Sequence, residues 1–164
     1  MNLKSTYQKG ADFVEKGGLA QLHSAKGTPR LAFALDLLGK HQTEPTYFLW
    51  VSDEGYLFPE TLSRRTPFPL QHFVLAKVPS AADVWKVTLE GIQSGLFGWI
   101  FLRSSRGCPP AFLRKLQLQA ERSRARVVIV CEEKLPHYLI KTSWELDNEK
   151  VSLPASETLR RESR

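Results

Sequence analysis

The sequence is poor in residues that build disulfide-rich or metal-bound domains. Its 164 residues include two cysteines, Cys108 and Cys131, too few for a disulfide framework. Its four histidines lie at no spacing from a cysteine or a carboxylate that would form a zinc site. They are His23, His41, His72 and His137. We therefore expect no metal and no cofactor.

Long apolar runs are also missing. No segment approaches the roughly 20 residues of a membrane-spanning helix. Residues 1–10 are polar and lack the apolar stretch of a secretory leader. These absences predict a cytoplasmic protein that does not bind membranes and whose thiols stay reduced.

The chain does contain enough apolar material for one core, together with an excess of positive charge. Hydrophobic residues make up 42% of the sequence, including nine Phe and four Trp. The length suits a single domain, since domains average roughly 150 residues. The formal net charge of +6 permits contact with nucleic acid or with an acidic protein surface. It is equally compatible with an ordinary basic soluble domain.

Short apolar runs alternate with amphipathic helical patterns. Continuous apolar runs suit strands that are buried on both faces, as in parallel sheets. The pattern therefore predicts an α/β fold with a mainly parallel sheet covered by helices on both faces. Buried strands are predicted at residues 46–51, 73–77, 99–102 and 126–131, after a shorter strand at 19–22. Helices are predicted at residues 29–39, 59–65, 81–95 and 110–124.

Two segments flank this predicted domain. Residues 1–16 are expected to form a helix or arm that ends at Gly17-Gly18. The domain itself is expected over residues 17–151, with an edge strand near 144–151. Residues 152–164 are polar and have no apolar period, which predicts a flexible tail.

The segment that leads into the first predicted helix has the outline of a phosphate-binding loop without its functional residues. A working loop reads G-x-x-x-x-G-K-[ST], and its amides, lysine and hydroxyl hold the phosphates and Mg²⁺. Aligned on Gly27, the first glycine becomes Leu22, the lysine becomes Thr28 and the hydroxyl residue becomes Pro29. Thr28 brings no charge, and Pro29 has neither a hydroxyl nor an N–H. The pattern predicts a domain built like an NTPase that has lost its nucleotide site.

Together with three later stretches, this segment resembles the core of the RecA recombinase family over residues 19–132. Residues 49–59 are similar to the family's strand and Asp-Ala-Glu turn. Residues 89–103 are similar to its helix, Ser-Gly turn and Walker B strand, and residues 126–131 to its next strand. The resemblance implies a truncated RecA-like fold.

Two positions of this resemblance bear on catalysis. Family ATPases end the Walker B strand in an aspartate that helps to hold Mg²⁺, whereas this chain has Arg103 there. Glu54 matches the glutamate that orients the attacking water, although it also suits an ordinary capping carboxylate. One carboxylate without a phosphate cradle or a metal does little chemistry, so no ATPase activity is expected.

Two RecA-like families that lack the ATP site resemble this chain. Residues 50–59, the Ser94-Gly95 turn and the helix at 112–122 look more like ImuA, an accessory protein of translesion synthesis. That resemblance implies a non-catalytic protein of the SOS response to DNA damage, which binds a translesion polymerase or RecA. The small size and the lost site equally suit SulA, a division inhibitor that binds the tubulin-like GTPase FtsZ. A weak nucleotide- or DNA-binding module is a third interpretation.

Basic residues around the last predicted helix form a candidate surface for a partner or for DNA. Such charges can contact phosphates or an acidic protein surface, and a solvated helix face is the alternative. Aromatic residues lie mostly in the predicted core strands, so DNA binding is expected to be weak. The cations near Cys108, namely Arg103, Arg106 and Arg114, would lower the pKa of its thiol, but no histidine lies beside it, so an ordinary loop cysteine is the favoured interpretation. Cys131 is expected to be inert core. The surface comprises Arg106, Arg114, Lys115, Arg122 and Arg124.

Overall fold

Six strands form one sheet in which every neighbouring pair runs parallel. The computed structural model describes residues 12–23, 35–36, 38–39, 42, 45–55, 59–132, 135, 140 and 142–145. The strand order is β3-β2-β4-β5-β1-β6. The strands are β1 (Gly18–His23), β2 (Tyr47–Ser52), β3 (Phe73–Lys77), β4 (Phe97–Arg103), β5 (Arg126–Cys131) and β6 (Thr142–Glu145). The predicted parallel α/β fold is confirmed.

Helices occupy the connections from β2 to β3, from β3 to β4 and from β4 to β5. The helices with defined ends are α1 (Pro59–Arg65), α2 (Ala81–Ser94) and α3 (Pro110–Ser123), and a 3₁₀ turn covers Leu70–His72. Residues 12–16, 35–36 and 38–39 are also helical. The Ser80 hydroxyl accepts a hydrogen bond from the amide of Asp83 and so caps the start of α2. Gly95, in the left-handed region, ends that helix as the sequence predicts.

One face of the sheet packs against α2 and α3. Aliphatic side chains of the central strands alternate with those of the opposite face, because successive strand residues point to opposite sides. This face is buried under Val84, Trp85 and Ile92 of α2 and Leu113 and Leu116 of α3. From the strands it receives Leu19, Leu49, Val51, Ile100, Leu102, Val127 and Ile129.

The other face is rich in aromatic residues. Phe13, from the helical turn at 12–16, meets the ring of Trp99 edge-on at 6.0 Å and that of Trp144 at 5.7 Å. Phe48 stacks on Phe73 at 4.7 Å. Offset and edge-on ring pairs of this kind add to the stabilisation from burial. The helical turn before β1 therefore contributes Phe13 to the core.

A buried glutamine joins β1 to the segment before β6. Gln21 is fully buried in β1. Its side-chain nitrogen donates to the carbonyl oxygen of Leu135 at 3.2 Å, and its oxygen accepts from the Leu135 amide at 2.8 Å. Both polar ends of the side chain are satisfied, which is the condition for burying an amide at low cost.

The structure corrects the prediction for residues 73–77. They form a strand with the predicted ends, but β3 is an edge strand and not a buried one. Val74 is 42% exposed and Leu75 is 41% exposed, because β3 has a neighbour on one side only. The predicted edge strand begins earlier than expected, at Thr142. Residues 1–11 of the predicted arm (1–16) and the predicted tail at 152–164 lie outside the described residues.

Candidate functional site at the carboxyl edge of the sheet

The segments that follow β2 and β4 meet at the carboxyl edge of the sheet. These two strands are neighbours, and Ser52 pairs in register with Arg103 at their ends. The chain therefore places the turn after β2 beside the loop after β4. In open parallel sheets this edge is where ligands bind.

An ion pair joins the two ends. The Nε atom of Arg103 lies 3.5 Å from a carboxylate oxygen of Glu54, and each side chain is partly exposed, at 39% and 47%. These are the two positions at which the RecA resemblance implied a Mg²⁺-binding aspartate and a water-orienting glutamate. In this chain the glutamate side chain is paired with a cation instead.

A second link lies beside the first. The amide of Ser105 donates to a carboxylate oxygen of Asp53 at 2.9 Å, and the Ser105 hydroxyl donates to the other oxygen. The Ser52 hydroxyl accepts from the amide of Glu54 at 3.0 Å and holds the turn in shape. We call the two links, Glu54–Arg103 and Asp53–Ser105, the edge clasp. Sequence reasoning missed its Asp53 half, although an aspartate directly after a strand was a usable signal.

A groove of about 670 Å³ opens next to the clasp, between the beginnings of α2 and α3. Trp85 and Phe112 contribute aromatic lining, and Lys86 and Arg106 contribute cations. The indole nitrogen of Trp85 donates to the carbonyl oxygen of Arg106 at 3.1 Å. This bond fixes the loop that carries Arg106. The groove therefore combines aromatic lining with two cations and the carboxylate of Asp53.

Cys108 lies in this groove, and its acidity is the opposite of the predicted one. Burial raises the pKa of the Cys108 thiol to about 11, and a hydrogen bond to its own backbone lowers it by less. The prediction from neighbouring cations was wrong because the thiol is half-buried. Loss of water disfavours the thiolate more than the backbone hydrogen bond favours it. At neutral pH this group is a protonated thiol, which is unsuited to nucleophilic chemistry.

Of the remaining residues of the predicted nucleotide site, the structure describes Leu22 alone. Leu22 lies inside β1, fully buried, and pairs in register with Val130. Gly27, Thr28 and Pro29 lie outside the described residues, so the altered loop stays a prediction. Among the residues that the structure describes, no group of three His, Cys, Asp or Glu side chains could hold a metal ion.

The predicted basic surface divides into two parts. Arg106 belongs to the rim of the groove, whereas Arg114, Lys115 and Arg122 lie on α3. Arg124 follows α3 in the left-handed conformation, with φ of 55°. All five side chains are exposed. The three on α3 lie opposite the helix positions that enter the core, namely Leu113, Leu116 and Ala120.

Comparisons with known proteins give a structural likeness and no sequence family. No family model matches the chain, and no curated protein matches its sequence. The fold is similar to the crystal structure of SulA from Pseudomonas aeruginosa, with a TM-score of 0.56 and 15% identity. The match covers 70% of this chain and 98% of that one. At this identity the likeness shows the fold alone. In the described part of the chain, no helix has the length and hydrophobicity needed to cross a bilayer.

Proposed function

We propose that this chain is a non-catalytic interaction domain of the bacterial DNA-damage response that inhibits cell division by binding FtsZ. The structural likeness to SulA supports this interpretation over the translesion role that the sequence favoured, because it extends over nearly all of the solved SulA chain. The sequence resemblance already included SulA among its alternatives. FtsZ enters the proposal from that resemblance.

The single observation that carries the non-catalytic part is the ion pair between Glu54 and Arg103. A working ATPase site would present carboxylates to Mg²⁺ and to the attacking water. Here the acceptor carboxylate faces a guanidinium, and the cation occupies the position that the metal-binding aspartate would need. A domain with these residues at the edge is suited to bind a protein partner without binding or hydrolysing a nucleotide.

The proposed role is tested by adding the purified chain to FtsZ with GTP and measuring the FtsZ that sediments as polymer. We expect the sedimented fraction to fall as the chain approaches a one-to-one ratio with FtsZ. In cells, overexpression should produce filaments because division stops while growth continues. Full polymerisation and normal cell length would refute the division role.

The non-catalytic part is tested separately by titrating ATP with Mg²⁺ into the chain in a calorimeter. No binding heat is expected up to millimolar nucleotide. A dissociation constant in the low micromolar range would overturn this part and leave the FtsZ measurement unaffected.

A second candidate function is support of translesion synthesis by binding a polymerase or RecA. It is favoured by the exposed cations of α3, because the ImuA resemblance lies partly in the same helix, residues 112–122. Affinity capture of the tagged chain after DNA damage distinguishes the two. Enrichment of RecA or a Y-family-like polymerase without FtsZ would replace the division role with this one.

A further inference from the structure

The outward side of α3 presents one continuous surface. Arg114, Leu118 and Arg122 are spaced four residues apart and therefore stack along one side of the helix, with Lys115 beside them. We call these four residues the basic arc. They lie opposite the side of α3 that packs on the sheet, and every member is exposed.

The charges of the basic arc are not neutralised within the described part of the protein. No described acidic side chain forms an ion pair with Arg114, Lys115 or Arg122. The one acidic residue of α3, Glu121, accepts a hydrogen bond from Gln117, whose oxygen in turn accepts from the amide of Leu19. These two hydrogen bonds link Glu121 through Gln117 to the beginning of β1.

An exposed leucine lies among these cations. Leu118 is 44% exposed, with Arg114 one turn before it and Arg122 one turn after it. A phosphate backbone offers only charge to such a surface, and the leucine would gain nothing there. A protein partner can cover the leucine with an apolar side chain and meet the flanking cations with carboxylates. The composition of the arc therefore favours protein over nucleic acid.

We propose that the basic arc docks on an acidic protein surface that carries an apolar side chain at its centre. The inference rests on the proposed function to the extent that FtsZ is the first protein in which we seek this surface. The cations speed the encounter and set its orientation, which makes binding salt-dependent. The leucine is covered when the two surfaces meet.

The test compares two charge-reversed variants of the full chain with the wild type. One reverses the arc, Arg114→Glu with Arg122→Glu. The control reverses two exposed cations at the far end of the sheet, Arg64→Glu with Lys77→Glu. Each pair lowers the net charge by four, so the change in net charge is the same in both variants. Binding to FtsZ, to RecA, to the translesion polymerase and to a 20-base-pair DNA duplex is measured at about 50 and 200 mM salt. Circular dichroism checks that each variant is folded.

We expect the arc variant to lose about 30-fold or more in affinity for FtsZ, while the control stays within about threefold of wild type. Leu118→Ser should weaken binding with little change in its salt dependence. Equal binding by the arc variant and wild type would overturn the inference and leave the division role intact. If the wild type binds RecA or the polymerase but not FtsZ, and the arc variant loses that binding, the arc is still the docking surface and the division role is refuted. Arc-dependent binding to the duplex alone, or binding to none of the probes, would overturn the inference.

Discussion

The guanidinium of Arg103 lies 3.5 Å from the carboxylate of Glu54, across the ends of two neighbouring parallel strands. The pair is half-exposed, so water and salt screen it, and exposed pairs contribute roughly 0–1 kcal/mol. The pair therefore contributes little to the stability of the fold, and its main effect is to place a cation beside the carboxylate at this edge of the sheet. A substitution can separate these two contributions.

Replacing Arg103 with aspartate should place two carboxylates beside each other at the edge. We expect a loss of stability of about 1 kcal/mol that diminishes as salt rises, because like charges repel and salt screens them. Urea unfolding at low and high salt measures it. Arg106→Asp, which makes the same charge change three residues later, in the loop that follows β4, is the control. Equal losses in both variants would mean that the Glu54 pair contributes nothing specific.

Replacing the side-chain amide of Gln21 with an apolar group should destabilise the protein far more than the same replacement at an exposed glutamine. Gln21→Leu would leave both the amide and the carbonyl of Leu135 without their partner. An unpaired buried polar group costs about 1–3 kcal/mol, so we expect a loss of about 3 kcal/mol in the free energy of unfolding. The matched change at exposed Gln93 should stay within about 0.5 kcal/mol. A neutral Gln21→Leu would show that Leu135 finds other partners.

Two glycines with similar backbone angles should respond differently to alanine. Gly17 has φ of 77° and Gly55 has φ of 67°. A Cβ atom on Gly17 would lie 2.7 Å from the backbone carbonyl carbon of Arg124, whereas one on Gly55 would meet nothing within 4 Å. Gly55→Ala should cost only the conformational strain, about 1–2 kcal/mol, and Gly17→Ala at least about 3 kcal/mol. Thermal unfolding of the two variants would contradict this account if their losses were equal.

Cys108 should react slowly with alkylating reagents in the folded protein. Its pKa is raised from 9.0 to about 11, so the thiolate fraction at pH 8 is about a hundredfold lower than for a free thiol. Iodoacetamide labelling followed by mass spectrometry measures the rate, with the urea-unfolded chain as reference. A folded rate equal to the unfolded rate would refute the effect of burial.

The same shift predicts how stability depends on alkaline pH. The folded state holds the thiol proton more tightly than the unfolded state, so this contribution is complete below pH 9.0 and is lost as the pH rises toward about 11. Cys108→Ser has no group that titrates in this range. Its stability should decline less steeply than that of the wild type between pH 9 and 11. Parallel declines would assign the loss to other groups.

The strands were predictable because each central strand is buried on both faces. Residues 99–102 and 126–131 read as continuous apolar runs, and the structure places them in β4 and β5, next to each other. The same pattern was misleading for β3, whose valine and leucine are exposed at the edge. An apolar run records that a strand forms, but its number of neighbours depends on strand order, which local sequence does not encode.

The site was less predictable than the fold for a similar reason. The sequence resemblance singled out Glu54 and Arg103 separately, and only the register of β2 against β4 brings them together. The acidity of Cys108 was predicted with the wrong sign because nearby charges can be read from the sequence while burial cannot. The basic residues were grouped because they lie close together in the sequence, which could not separate the cations on α3 from Arg106 at the groove.

The strand order also determines when the protein can fold during synthesis. β1 is made first, yet its only two neighbours are β5 and β6, which are made last. In a nascent chain that has been synthesised as far as β4, both edges of β1 are therefore unpaired. The strands that would pair with β1 have not yet left the ribosome. Completing the sheet pairs the strand that is synthesised first with the strands that are synthesised last. Translation must therefore pass residue 126 before the centre of the sheet can form.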